Sequence, residues 1–350
     1  MAERLLTTRD LNRALLARQL LLERASLPIR SALEQVAGLQ TQYAPSGYVG
    51  LWSRLEDFPR LGLTRALHQR EAVQGTLMRS TIHTVSNRDY WLFAAGIRRG
   101  RQEWWQRVVR HQAEGLDIEK AADLFRRTLK AGPRRATELK DLLAQHGIPA
   151  IAWNGVGLWV DLVRVPPSGT WEARRADLYG LAETWLKKPA VTEEEGMEHL
   201  VRRYLAGYGP APLADIAAWA GLTATRLRPV LTRLQLCSFR SEQGSQLFDL
   251  PGAPLPDPKT PAPVRFLPTW DSTLLAHCRR TQILPEHYRP LVFNTKTPQS
   301  VATVLVDGAV AGTWRYQEGR ILVEAFDTLP ARVRREVDKE ARRLAAFHAG

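Results

Sequence analysis

Cysteine is nearly absent from this chain. Cys237 and Cys278 are the only two, they stand far apart, and neither has a partner at metal-ligand spacing. That usage suits a reducing cytoplasm, the expected location, and argues against structural zinc. No apolar run reaches about 18 residues, so no transmembrane helix and no membrane partner are expected. The opening segment MAERLLTTRD lacks the apolar stretch of a signal peptide. No glycine-rich phosphate loop, zinc spacing or Ser-His-Asp order stands out, and no cofactor or metal is expected. Acidic residues are also short. Asp and Glu total 36 against 49 Lys and Arg, giving a net charge of +13 and a pI near 10.2. Arginine dominates over lysine, and its planar fork suits phosphate, so a polyanion is the expected partner. A GC-rich genome produces the same arginine excess through its codons.

With 350 residues, of which 44% are hydrophobic, the chain is long enough for two to four modules. Residues 9–22 read as a helix, with Leu11, Leu15, Leu16, Leu20 and Leu22 along one side. Pro28 opens a second helix carrying Leu33, Val36 and Gln40 at i, i+3 and i+7. Short helices are expected over 47–55 and 64–69. The stretches 73–78 and 81–86 alternate around Arg79 and Ser80, which reads as a hairpin. Residues 90–110 read as a long helix rich in Trp and Arg. Three helices followed by a hairpin is the order of a winged helix.

An internal repeat follows. LFRRTLKAGPRRATEL (124–139) aligns with LVRRYLAGYGPAPLADI (200–216) after one inserted residue. In the second copy, 212–220 and 224–235 read as helices around the turn GLT, which is helix-turn-helix grammar. Each copy is followed by a strand-like pair: 161–167 leading through Ser168-Gly169 into TWEARR, and 237–250 turning at Gln243-Gly244. The expected fold is therefore α+β, with three tandem winged helix-turn-helix units over 1–112, 113–190 and 191–255. Residues 251–263 form a proline-rich linker. The segment 256–350 is β-rich, with an Asp307-Gly308 hairpin and a closing amphipathic helix over 331–347. Winged helices normally bind duplex DNA, although some serve as protein-interaction modules.

One pair of residues carries the candidate chemistry. Gln40 and Gln42 stand either side of Thr41, ahead of Pro45, Ser46 and Gly47. Residues at i and i+2 do not share a helix side, so joint action requires the helix to end near Gln40. Taken alone, Gln-x-Gln is more often a solvated helix terminus than a site.

The stretch RQLLLERASLPIRSALEQVAGLQTQYAPSGYVGLWSRL resembles the N-terminal signature of the AlkZ/YcaQ-like bacterial DNA glycosylases. GTLMRSTIHTVSNRDYW (75–91) resembles their first wing. FLPTWDSTLLAHCRRTQILPEHYRPLVF (266–293) and LVDGAVAGTWR (305–315) resemble their C-terminal region. The resemblance runs through nearly the whole chain in the right order. It implies three winged helices in a C-shape around DNA, with a basic concave surface. It also implies removal of alkylated bases and unhooking of cross-links joined through guanine N7. The family's motif is Gln-x-Gln in one branch and Gln-x-Asp in the other. Gln40-Thr41-Gln42 resembles the AlkZ branch, associated with self-resistance to DNA-alkylating natural products.

Two neutral amides suit such a base. An N7-alkylguanine is already cationic and leaves readily, so little general-acid help is needed. What remains is to hold a water beneath C1′ and to tolerate an oxocarbenium-like sugar. An amide carbonyl does both, yet it is no general base near neutral pH. Gln40 and Gln42 are therefore assigned jointly as catalytic, acting on cationic lesions and failing on uncharged bases such as uracil. No lysine near the pair suggests lyase chemistry, so an abasic site is the expected product.

Three further residues are candidates for DNA contact. Arg79 at the wing tip suits a phosphate or the minor groove, or is merely solvated. His83 faces DNA or fills a half-buried strand position. Asp271 lies near the site by resemblance, or caps the helix after it. Trp104 and Trp105 stack on bases or belong to the core. The leading expectation is a monofunctional glycosylase acting as a monomer on double-stranded DNA with alkylated purines. The rivals are a non-catalytic winged-helix regulator and a protein-binding scaffold.

Overall fold

The first helix begins where the sequence supplies a capping box. Thr7 Oγ1 accepts from the Asp10 N–H at 3.1 Å, and Asp10 Oδ2 accepts from the Thr7 N–H at 2.9 Å. In the computed structural model, which describes residues 4–113, 115–293 and 300–350, this cap opens the helix Thr8–Arg18. The helix is shorter than the leucine periodicity predicts because Leu20 takes a left-handed backbone at φ 57°. Helix Ile29–Gln35 follows Pro28 as expected but stops well before Gln40. Ala37 and Gly38, at φ 58° and 79°, turn the chain into the short strand Leu39–Gln40. Gly38 is needed at that turn, since a Cβ there would stand 2.8 Å from Val85 Cγ1.

Helices Pro45–Arg54 and Arg60–His68 come next, then strands Ala72–Thr76 and Ile82–Ser86, then the long helix Tyr90–Val109. The hairpin joins a larger sheet. Six antiparallel strands lie in the order Leu39–Gln40, Ile82–Ser86, Ala72–Thr76, Leu162–Arg164, Leu178–Leu181, Arg134–Arg135. The junction between the two halves is Gln74 opposite Arg164 and Gly75 opposite Val163. The pairing expected for 161–175 is corrected here. Leu162–Arg164 pairs with Leu178–Leu181 rather than with TWEARR. Ser168 is the reason: its Oγ accepts from the Asp177 and Leu178 N–H groups at 2.8 and 3.0 Å and donates to Arg175 O at 2.7 Å, folding the segment between into a loop.

The repeat takes the same form in both copies. Helices Ile118–Lys130 and Ala136–Gln145 correspond to Glu193–Tyr208 and Leu213–Ala220. Gly221, at φ 72°, ends the latter, and Thr223 caps Ala224–Arg233. The hairpin Cys237–Ser241/Gln246–Asp249 follows as expected, but it gains a third strand, because Leu5–Leu6 adds in parallel. The C-terminal sheet runs Arg265–Leu267, Thr303–Val306, Ala309–Gln317, Arg320–Ala325, all antiparallel. Asp307 and Gly308 both have positive φ, as a two-residue hairpin turn of this hand requires. The terminal helix Ala331–Ala349 buries Val337, Ala341 and Leu344.

Two devices hold the parts together. Gly96 and Gly196 let helices Tyr90–Val109 and Glu193–Tyr208 touch backbone to backbone, since a Cβ on Gly96 would lie 2.5 Å from the Gly196 carbonyl carbon. Arg18 forks onto Asp249 with two bonds of 2.7 Å, both groups buried, and also donates to Pro254 O. With Arg9 on Pro258 O and Arg13 on Thr260 O, helix Thr8–Arg18 pins the proline-rich segment along its side. A central apolar cluster containing Phe93, Tyr204, Trp219 and Leu284 draws residues from most of the chain. Each such side chain contributes about 1.5–3 kcal/mol on burial.

Candidate active site

Extended backbone resolves the spacing of the two glutamines. Strand Leu39–Gln40 is an edge strand, paired only with Ile82–Ser86, and the Thr41 N–H still donates to Ile82 O at 2.7 Å. Side chains alternate along such a segment. Leu39 and Thr41 face helix Pro45–Arg54: a Cβ on Gly50 would meet Leu39 Cδ1 at 3.3 Å, and one on Gly47 would meet Thr41 Cγ2 at 2.9 Å. Gln40 points the other way; Gln42 lies beyond the strand, in a bend.

The two amides live in different surroundings. Gln40 is 4% exposed, and its Oε1 accepts from Arg79 Nη2 at 2.7 Å. Gln42 is exposed, and its Oε1 accepts from the Ile82 N–H at 3.1 Å, standing in for a ladder carbonyl. Each oxygen therefore has one fixed donor and keeps a second lone pair. Both amides are oriented before any ligand arrives.

Arg79 is at the hairpin turn, as expected, with φ 52°, but it does not reach out as a free arm. Its guanidinium folds inward, donating to Trp219 O at 3.1 Å as well as to Gln40. Burial pulls its pKa below the ordinary arginine value. His83 sits opposite Gln40 and is wholly buried rather than half-buried. Its Nδ1 lies 3.0 Å from Thr81 O, while Nε2 is sealed without a partner. Burial, helped by the Arg79 cation, lowers its pKa to about 3, so the ring is neutral near pH 7. Asp271 caps the turn Ser272–Leu274, accepting from the Thr273 N–H and Oγ1 at 3.0 and 2.7 Å. It also receives a fork from Arg54, with two bonds of 2.9 Å and both side chains buried. Burial alone would raise the Asp271 pKa; Arg54 and Thr273 outweigh it and hold the carboxyl below its usual range. The neighbouring Ser272 Oγ accepts from the Gln40 N–H at 3.3 Å, so Asp271 reaches the glutamine through one residue.

A cleft of about 430 Å³ opens beside the pair. Gln42 and Ser80 line it on one side; Gln40 does not line it. Its other walls include Arg98, Arg101, Arg164, Trp153 and Tyr179. None of these was singled out from the sequence, where the three arginines are lost among 49 Lys and Arg. Of the two tryptophans considered for stacking, Trp105 is core, packed edge-on to Trp159 at 5.4 Å, whereas Trp104 is half exposed. Among the described residues, no group of three or more His, Cys, Asp or Glu is placed to hold a metal ion, and no helix is long and apolar enough to cross a membrane.

Three comparisons bear on this geometry. The family model "DNA glycosylase AlkZ-like" matches residues 33–347. No curated protein sequence matches the chain. Among solved structures, Streptomyces sahachiroi DNA glycosylase AlkZ superimposes with a TM-score of 0.79 at 18% identity, covering 98% of this chain and 97% of that one. At that identity the superposition speaks for the fold alone.

Proposed function

Since the chain belongs to the AlkZ-like DNA glycosylase family, we propose that it hydrolyses the N-glycosidic bond of bulky or cross-linked N7-alkylpurines in duplex DNA, leaving an abasic site. The chain acts as a monomer, with three winged helices wrapped in a C-shape around the duplex. One observation carries the reading. Two carboxamides, Gln40 and Gln42, stand at a sheet edge with their carbonyls fixed by Arg79 and by the Ile82 N–H, and Gln42 opens onto an arginine-lined cleft.

In the proposed reaction the C1′–N9 bond breaks with its electron pair going to the base. The cationic base thereby leaves as a neutral N7-alkylpurine. The free lone pair of Gln42 Oε1 accepts a hydrogen bond from a water and aims its oxygen at C1′, and the amide dipole offsets charge on the sugar. The water oxygen bonds to C1′ and its proton passes to solvent. Gln40, behind, fixes the local field. No titrating group is required, which agrees with a neutral His83 and a fully paired Asp271.

The test is to incubate the protein with duplex DNA carrying N7-methylguanine or a bulkier N7 adduct and then cleave abasic sites with alkali. Strand scission that disappears in the Gln40→Ala/Gln42→Ala double variant supports the reading. Tight binding without scission on either lesion points instead to a DNA-binding protein without catalysis.

A further inference from the structure

We propose that Arg101 and Arg164 form a seat for one backbone phosphate of the damaged strand, at the floor of the cleft beside Gln42. This rests on the glycosylase reading for its ligand, and on the following geometry for its site. Arg101 is 4% exposed and Arg164 is 7% exposed. Neither makes an ion pair with a carboxylate among the described residues. Arg101 Nη1 donates to Leu77 O, and Arg164 donates to Thr76 Oγ1 at 2.6 Å and to Tyr179 Oη at 3.3 Å. A guanidinium has five N–H donors, so most of those on Arg101 and several on Arg164 are left for a ligand.

Other buried arginines meet a carboxylate: Arg13 has Asp307, Arg18 has Asp249 and Arg54 has Asp271. Arg265 is buried without one and is held by the Val264 and Leu22 carbonyls; Arg101 and Arg164 are the pair that lines one cleft together. Its one lining carboxylate, Asp161, is already taken by Arg98 at 2.6 Å, with Lys188 at 3.9 Å. The pocket thus holds an uncompensated pair of forks whose natural complement is a tetrahedral oxyanion, which accepts bidentate bonds from each. Thr76 and Leu77, which hold the two forks, lead directly into the Arg79 turn that holds Gln40. A phosphate seated there would tie the strand to the same hairpin as the glutamine pair. It would also offset the positive charge gathered behind a site where a sugar cation must form.

The experiment reads binding, not excision. Duplexes with one N7-methylguanine and a single neutral methylphosphonate linkage, moved linkage by linkage around the lesion, are titrated with the wild-type protein, Arg101→Gln and Arg164→Gln. One linkage near the lesion is expected to weaken wild-type binding about ten- to a hundredfold, as loss of charge-assisted hydrogen bonds does, and to have little effect in either variant. Where a glutamine variant fails to fold, the lysine variant carries the same comparison: a shrunken linkage effect supports the seat and an unchanged one overturns it. No sensitive linkage, or one that weakens wild type and variants alike, also overturns it. If the linkage effect is present and no base is released from any N7 adduct, the glycosylase reading fails and the seat stands. Excision without a linkage effect is the reverse.

Discussion

Arg79 Nη2 donates to Gln40 Oε1 at 2.7 Å, and no carboxylate among the described residues pairs with that cation. The contact places a fixed positive group against one of two amides whose value lies in orientation. Arg79→Ala releases the Gln40 amide, and a charge-assisted bond of this kind is worth roughly 1.5–3 kcal/mol. Excision of N7-methylguanine under single turnover is expected to fall by about ten- to a hundredfold, with Arg79→Lys in between. A thermal melt of each variant separates this from unfolding.

Activity should be flat across neutral pH. Amides do not titrate there, His83 stays neutral down to about pH 3, and Asp271 stays ionised. A single-turnover rate varying less than about threefold between pH 6 and 8 is the expected profile. A steep limb in that range would require a titrating group at the reacting atoms.

Stability behaves differently. An unfolded histidine takes up a proton near pH 6.5, whereas folded His83 resists until about pH 3, chiefly because it is buried. As pH falls between those values only the unfolded chain gains the proton, so His83's contribution is complete above pH 6.5 and is lost progressively below it. His348 acts in the same direction, with a pKa lowered to about 4 by burial and by Arg174 and Arg60. Urea midpoints should drop between about pH 7 and 4.5, and His83→Leu should flatten part of that slope.

Gly96→Ala should be costly although alanine is the better helix former. The added carbon would lie 2.5 Å from the Gly196 backbone, so two helices must part. A loss of about 1–3 kcal/mol or more is expected, read as a lower urea midpoint. Gly244→Ala, at a turn with nothing within 4 Å, pays only its backbone strain at φ 80°.

Much of this fold was legible in the sequence because local signals agreed with it. The Gly-Pro repeat, the GLT turn and Asp307-Gly308 each fix backbone geometry without help from distant residues. What was not legible depends on partners far along the chain. Leu5–Leu6 joins a hairpin more than half the chain away. The junction of Gln74 with Arg164 fuses two expected units into one sheet. The site divides in the same way. The turn at Gly38 takes Gln40 out of the helix and onto the strand Leu39–Gln40, with Gln42 in the bend beyond it. Nothing local showed that Arg79 folds inward to meet Gln40, or that Arg101 and Arg164 converge on one cleft. The contacts that set these positions, Arg79 with Gln40, Arg101 with Leu77 and Arg164 with Thr76, join residues 24 to 88 positions apart.

Asp271→Ala removes one half of a buried ion pair and leaves Arg54 uncompensated. Breaking such a pair typically costs about 3–5 kcal/mol. The Ser272 turn that supports the Gln40 N–H should loosen with it, so residual activity should fall even below the melting range.

The most direct measurement compares single-turnover base release from matched duplexes containing N7-methylguanine, a bulky N7-alkylguanine or uracil, using wild-type protein and the Gln40→Ala/Gln42→Ala variant. Release of one or both cationic bases by wild type, little release by the double variant at equal DNA affinity, and none of uracil by either is the predicted result. Equal release by the double variant, or uracil excision by wild type, would contradict a mechanism built on two oriented neutral amides.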